Sequence, residues 1–227
     1  LMTLRKAELT GVARGLAYQV VERLGSLPRQ RVLKDVRELS KEDRSALRSC
    51  GVRIGAETLF VPSLVKPKAV QWRAMLWNLF NDRETAPPPG AGLVTVPASE
   101  DLPEDFLEAC GYAKLGGRAV RIDVLDRIAI DLQRQSRAGK MDIGAAQLNL
   151  LGLSMEAARP VFEELGYVAK EAGEELVWKW VGRRKPKSER STRPRQKKPE
   201  RVEKNPGKPS PIDESSPFAK LKDLKFS

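Results

Sequence analysis

Few side chains in this sequence have types and spacings suited to chemistry. There is no histidine, which removes Ser-His-Asp hydrolysis, imidazole general bases and nearly all zinc sites with His ligands. Cys50 and Cys110 form no CxxC pair, so neither a metal site nor a redox motif is expected, and a reducing cytoplasm is the expected location. Carboxylates on helical stretches, such as Glu42, Asp43, Asp123, Asp126 and Asp131, read as solvated helix faces rather than as a paired acid and base. The cations remain. In residues 51–67, "GVRIGAETLFVPSLVKP", Arg53 lies between two glycines and Lys66 precedes a proline, with Lys68 just beyond. An apolar run between them anchors the segment, and the glycines permit sharp turns. Held rigidly, these three cations suit contact with phosphates; pairing of Arg53 with a nearby acid has equal claim.

Charge is unevenly spread along the 227 residues. Lysine and arginine outnumber the acids 41 to 30. Within residues 183–208 there are twelve cations against Glu189, Glu200 and Glu203, which is +9 of the total +11. Attraction to polyanions therefore resides mainly in this tail, and Arg183, Arg184, Lys185, Lys187, Arg193, Arg195, Lys197 and Lys198 are its candidate nucleic-acid contacts. So polar a segment buries too little to order itself and is expected to be disordered. Apolar residues return only in "SPFAKLKDLKF", where a short docking helix is expected.

The elements that must position Arg53 and Lys66 follow from periodicity. Val12, Leu16, Val20 and Leu24 predict a helix over 10–24, stopped at Gly25. "RQRVLKDVREL" after Pro28 predicts a second, and Ser40 with Asp43 predicts a capping box opening a third that ends at Gly51. Residues 52–61 predict an extended segment or hairpin turning near Gly55, and Pro67 begins a long helix. In that helix Val70, Met75, Leu76, Leu79 and Phe80 are expected to face the core, with Trp72 and Trp77 on or beside that face as core residues. "RETAPPPGAG" marks a domain boundary. Beyond it come a short helix at "LPEDFLEACG" and an extended pair turning at Gly116 and Gly117. An amphipathic helix from Ile122, a short helix ending at Gly152, a helix capped by Ser154 and kinked or shortened at Pro160, and a hairpin around residues 171–173 complete the chain. The last series has the order of a winged helix, with Lys140 and Lys179 at its edges. The predicted fold is mainly α with small β-hairpins: a helical accessory domain over 1–84, a winged-helix-like domain over 85–181, and a disordered basic tail over 182–227. No run of about 18 apolar residues exists, so no membrane partner is expected.

No phosphate-binding loop is present: the Gly-Lys pairs at 139–140 and 207–208 sit in the wrong context, and no DExD/H run lies on a strand. Nevertheless "LRSCGVRIGAETLFVPSLVKPKAVQWRAMLWNL" resembles the region behind the two motor domains in alphaproteobacterial superfamily 2 helicases related to the mitochondrial Suv-three RNA helicase. "GLVTVPA", "FLEACGYAKLGGRAVRIDVLDRIA", "FEELGY" and the closing "SPFAKLKDLK" match in order. The resemblance implies a C-terminal accessory region that guides single-stranded RNA or DNA for RecA-like motor domains. Those would be in cis, with this chain a piece of a longer reading frame, or in trans. ATP and magnesium belong to that motor; no catalytic residue and no cofactor carry over to this chain. A free-standing, non-enzymatic adaptor binding RNA or a protein is the alternative.

Overall fold

Local signals fix several elements before packing begins. Ser40 Oγ accepts the Asp43 amide at 3.0 Å while the Asp43 carboxylate accepts the Ser40 amide at 3.1 Å. This capping box contributes about 1 kcal/mol. Gly25, with φ +97, gives the chain a left-handed turn that a side chain would oppose, and its carbonyl accepts from the Val61 amide at 3.0 Å.

The computed structural model describes residues 1, 4, 7–83, 87–99, 102–139, 141–172 and 175–182. All of these belong to the first of the two units into which the chain divides, Leu1–Lys185. Expectations for the tail, including Arg183, Arg184, Lys185, Lys187, Arg193, Arg195, Lys197, Lys198 and the docking helix, lie outside the described residues, as does Lys140.

The elements in chain order are α1 (Gly11–Glu22), β1 (Ser26–Pro28), a 3-10 turn (Arg29–Val32), α2 (Leu33–Glu38), α3 (Lys41–Ser49), β2 (Arg53–Ile54), β3 (Thr58–Phe60), a second 3-10 turn (Pro62–Val65) and α4 (Pro67–Phe80). There follow β4 (Thr95–Pro97), α5 (Glu104–Ala109), β5 (Tyr112–Leu115), β6 (Arg118–Arg121), α6 (Ile122–Arg137), α7 (Ala145–Leu151), α8 (Met155–Glu164), β7 (Tyr167–Ala172) and β8 (Glu175–Trp180). The protein is thus mainly helical, with small antiparallel sheets in the orders β1-β3-β2, β4-β6-β5 and β7-β8.

Three apolar clusters result. Leu16, Val20, Val36, Leu47 and Leu59 fill the first, among α1, α2, α3 and the first sheet. Val70, Ala74, Phe106, Leu107 and Tyr112 form the second, between α4 and α5 and against β5 and β6. Leu125, Ile128, Leu132, Phe162 and Trp178 anchor the third, where α6 and α8 meet the last hairpin. A Cβ at Gly116 would come within 2.5 Å of the backbone at Pro160 and Val161, so the β5–β6 turn rests directly on α8. α8 runs on through Pro160 rather than ending there.

One helix departs from its sequence pattern. α4 buries Val70, Arg73, Ala74 and Asn78, while Met75, Leu76, Leu79 and Phe80 face solvent, Phe80 being 89% exposed. Trp77 packs edge-on against Phe106 with ring centroids 5.2 Å apart, but Trp72 is 62% exposed. The reason is polar. Arg73 donates to the carbonyl of Leu64 at 3.2 Å, to Ser26 Oγ at 2.5 Å and to the carbonyl of Glu108 at 3.3 Å. Ser26 Oγ donates in turn to the Glu108 carbonyl at 2.9 Å, and the Glu108 carboxylate takes Arg23 and Arg31, each at 3.1 Å. Burial lowers the Arg73 pKa to about 10 and pushes the neighbouring Cys110 thiol up to about 12.

A thiol so placed has almost no thiolate at neutral pH and no path to reagent. Alkylation of the native protein followed by mass spectrometry should modify Cys50 and leave Cys110 untouched until denaturant is added; equal labelling of both would contradict this packing.

Candidate nucleic-acid interface

The residues 51–67 segment is built around a close approach. Gly55 sits where a Cβ would overlap the Asp126 carboxylate and the Thr58 carbonyl, so no side chain fits. Asp126, on α6 and fully buried, accepts from the amides of Ala56 and Glu57, the latter at 3.4 Å. Arg53 Nε lies 3.6 Å from the same carboxylate, and its guanidinium stands over the Phe60 ring at 6.0 Å. Arg29 closes the turn from the other side, donating to the Gly55 carbonyl at 2.6 Å. The β2–β3 turn is therefore a rigid body clamped between Arg29 and Asp126. Asp126 belongs to no solvated face: it lies one helical turn from both Ile122 and Ala129, on the buried stripe of α6.

Beside this turn is a cleft of about 350 Å³ lined by Arg29, Gln30, Leu33, Arg37, Ala56, Glu57, Gln133 and Trp180. Two guanidinium groups there face one carboxylate. Burial and then the nearby Arg44 lower the Arg29 pKa, with Glu57 and Asp126 opposing and Arg37 adding to the fall, so three arginines and two carboxylates share this corner of the fold. Arg44 is itself fixed by bonds to the carbonyls of Val36 and Leu39 at 2.5 and 3.3 Å. Trp180 reaches the cleft because β8 alternates: Trp178, on the same face, packs against Phe162 at 5.7 Å, and Trp180 lies one step past the core, 55% exposed. The Val181 amide bonds to the Gly166 carbonyl at 2.8 Å and fixes the end of the hairpin.

An exposed tryptophan beside guanidinium groups and side-chain amides can stack a base, hold a phosphate and hydrogen-bond a base edge. The structure places Arg53 next to this cleft, engaged with Asp126, and Lys66 just before α4 with Lys68 on its first turn, both exposed and not lining it. Lys179 is exposed on β8. Sequence reasoning missed Arg29, Arg37, Gln133 and Trp180. Only the alternation of tryptophans in "VWKWV" hints at one ring in the core and one at its edge. Among the described residues there is no cluster of acidic or cysteine side chains able to hold a metal ion, and no helix is long and apolar enough to cross a membrane.

Comparison with protein-family models, with curated proteins and with solved structures finds no match.

Asp126 generates a prediction about stability. Burial raises its pKa, with the two amides, Arg53 and Arg29 opposing. Between the ordinary aspartate value and this raised one the folded state binds more protons than the unfolded, so this group's contribution falls as pH rises through that window. Asp126→Asn should flatten that fall and keep an acceptor for Ala56. Asp126→Ala strands both amides and Arg53 and should cost on the order of 2–3 kcal/mol in urea titration.

Proposed function

We propose that this chain is the nucleic-acid-binding accessory part of an ATP-dependent helicase, guiding single-stranded RNA or DNA for a motor outside the described residues. The observation that carries this reading is the cleft that Trp180 lines together with Arg29 and Arg37, two residues before the sequence turns into the basic tail. Base stacking at Trp180 gives affinity without sequence preference, and the arginines and tail cations supply the salt-dependent phosphate term. The order α6, α7, α8, β7, β8 supports a winged-helix-like reading of the C-terminal part, in which the hairpin is the wing that carries Trp180. α8 presents Glu156, Glu163 and Glu164 with Arg159, and Arg159 is paired with Glu163 at 3.1 Å. That balance suits packing, so the wing and the cleft, not a recognition helix, are the proposed contact. Helicase relatedness rests on the motifs in residues 47–79, 92–98, 106–129, 162–167 and 216–225, and with it the partnership with motor domains.

The test is fluorescence anisotropy with labelled oligo-U and oligo-dT over a salt series. A chain ending at Gly182 should still bind at low salt, and Trp180→Ala should weaken it about tenfold, as loss of one stacked base does. Arg37→Ala should reduce the salt slope by about one. Failure of the shortened chain to bind even at the lowest salt would leave the tail as the only contact, and binding indifferent to Trp180→Ala would place the contact away from the cleft.

A further inference from the structure

α4 is apolar on both sides. Its inner stripe, Val70, Arg73, Ala74, Trp77 and Asn78, is occupied by this chain. Its outer stripe, Trp72, Met75, Leu76, Leu79 and Phe80, has the i, i+3, i+4, i+7, i+8 spacing of a helix face made for burial, yet the five are 62%, 50%, 46%, 76% and 89% exposed. Together they leave on the order of 600 Å² of apolar surface in water, at the upper end for the largest patch of a monomer.

We propose that this face is covered by α4 of a second copy of the chain, the two helices packing antiparallel about a two-fold axis between Met75 and Leu76. That axis makes the stripe self-complementary. Residue 72 comes opposite 79 and residue 75 opposite 76, so Met75 packs on Leu76 beside the axis and Trp72 on Leu79 at either side of it. The ends are complementary in charge. Lys66 and Lys68 stand at the N-terminus of α4, where the helix dipole is also positive; exposed Asp82 stands beyond the C-terminus, where it is negative. Antiparallel pairing about that axis sets Lys68 level with residues 82 and 83, within reach of Asp82. Arg83, the cation that opposes this match, is turned to the inner side, its guanidinium 6.0 Å from the Trp77 ring. Two stripes together bury on the order of 1,200 Å², the lower bound for a specific interface, which makes a dimer that dissociates at low concentration. The chain's own "SPFAKLKDLKF" segment is a poorer occupant: with three lysines and one aspartate it would bring cations to the Lys66 and Lys68 end.

The experiment is sedimentation equilibrium, or light scattering after size exclusion, on the nuclease-treated full chain across a concentration series. Wild type is expected to be a dimer in reversible exchange with monomer. Leu79→Asp, at a position already in solvent in the single chain and so compatible with folding, should weaken association at least 30-fold. Lys68→Glu should weaken it several-fold, and Lys68→Glu with Asp82→Lys should restore it. A monomer at every concentration overturns the proposal, as does a dimer indifferent to Leu79→Asp, which places the contact elsewhere. A chain that dimerises only when Leu221 and Leu224 are both changed to Asp overturns it too, by assigning the face to the C-terminal segment.

Discussion

A buried guanidinium organises the middle of this protein. Arg73 is 3% exposed and bonds to three neutral oxygens, from Leu64, Ser26 and Glu108, which lie in three different elements. Such a cation is expensive to desolvate, and it stays charged because those oxygens converge on it. The convergence sets how β1, the second 3-10 turn, α4 and α5 meet. It also decides the rotation of α4: once Arg73 must point inward, Trp77 goes with it to Phe106, and the more apolar stripe is left outside. Asp126 makes the reciprocal link, reaching from α6 into the β2–β3 turn. One cation and one anion, each from the opposite side of the proline-rich 87–89 segment, hold the apolar clusters in register.

These two groups also mark where the sequence could be read and where it could not. Elements whose signals are local were legible: the Ser40 capping box, the stop at Gly25, Pro67 at the start of α4, the Gly116–Gly117 turn and the helix over Ile122–Arg137 all follow from caps, turns and periodicity. Strands β1 and β4, of three residues each, carry no alternation of their own and exist because β3 and β6 offer them an edge. The face of α4 was assigned by hydrophobicity, and hydrophobicity was outvoted by three hydrogen bonds to one side chain. Asp126 looked like any surface carboxylate, although its place on the Ile122, Leu125, Ala129 stripe was the available clue.

The candidate site was legible in chemistry more than in place. Glycines around Arg53 do mark a rigid turn, and the structure supplies the reason: Gly55 makes room for the Asp126 carboxylate, which comes from α6. No local pattern relates Arg29 and Arg37 to Gln133 and Trp180, because the cleft arises only when the first 3-10 turn and α2 are brought against α6 and the last hairpin. Spacing in sequence finds sites that one element builds, and this one is built by five, the β2–β3 turn with Ala56 and Glu57 being the fifth.

The bond from the Val181 amide to Gly166 has a kinetic meaning. It ties the residue after β8 to the turn before β7, so fraying of β8 must break this bond before Trp180 can leave the edge of the cleft. The ring is thereby held to the slower opening of the whole hairpin rather than to the fast motion of a strand end.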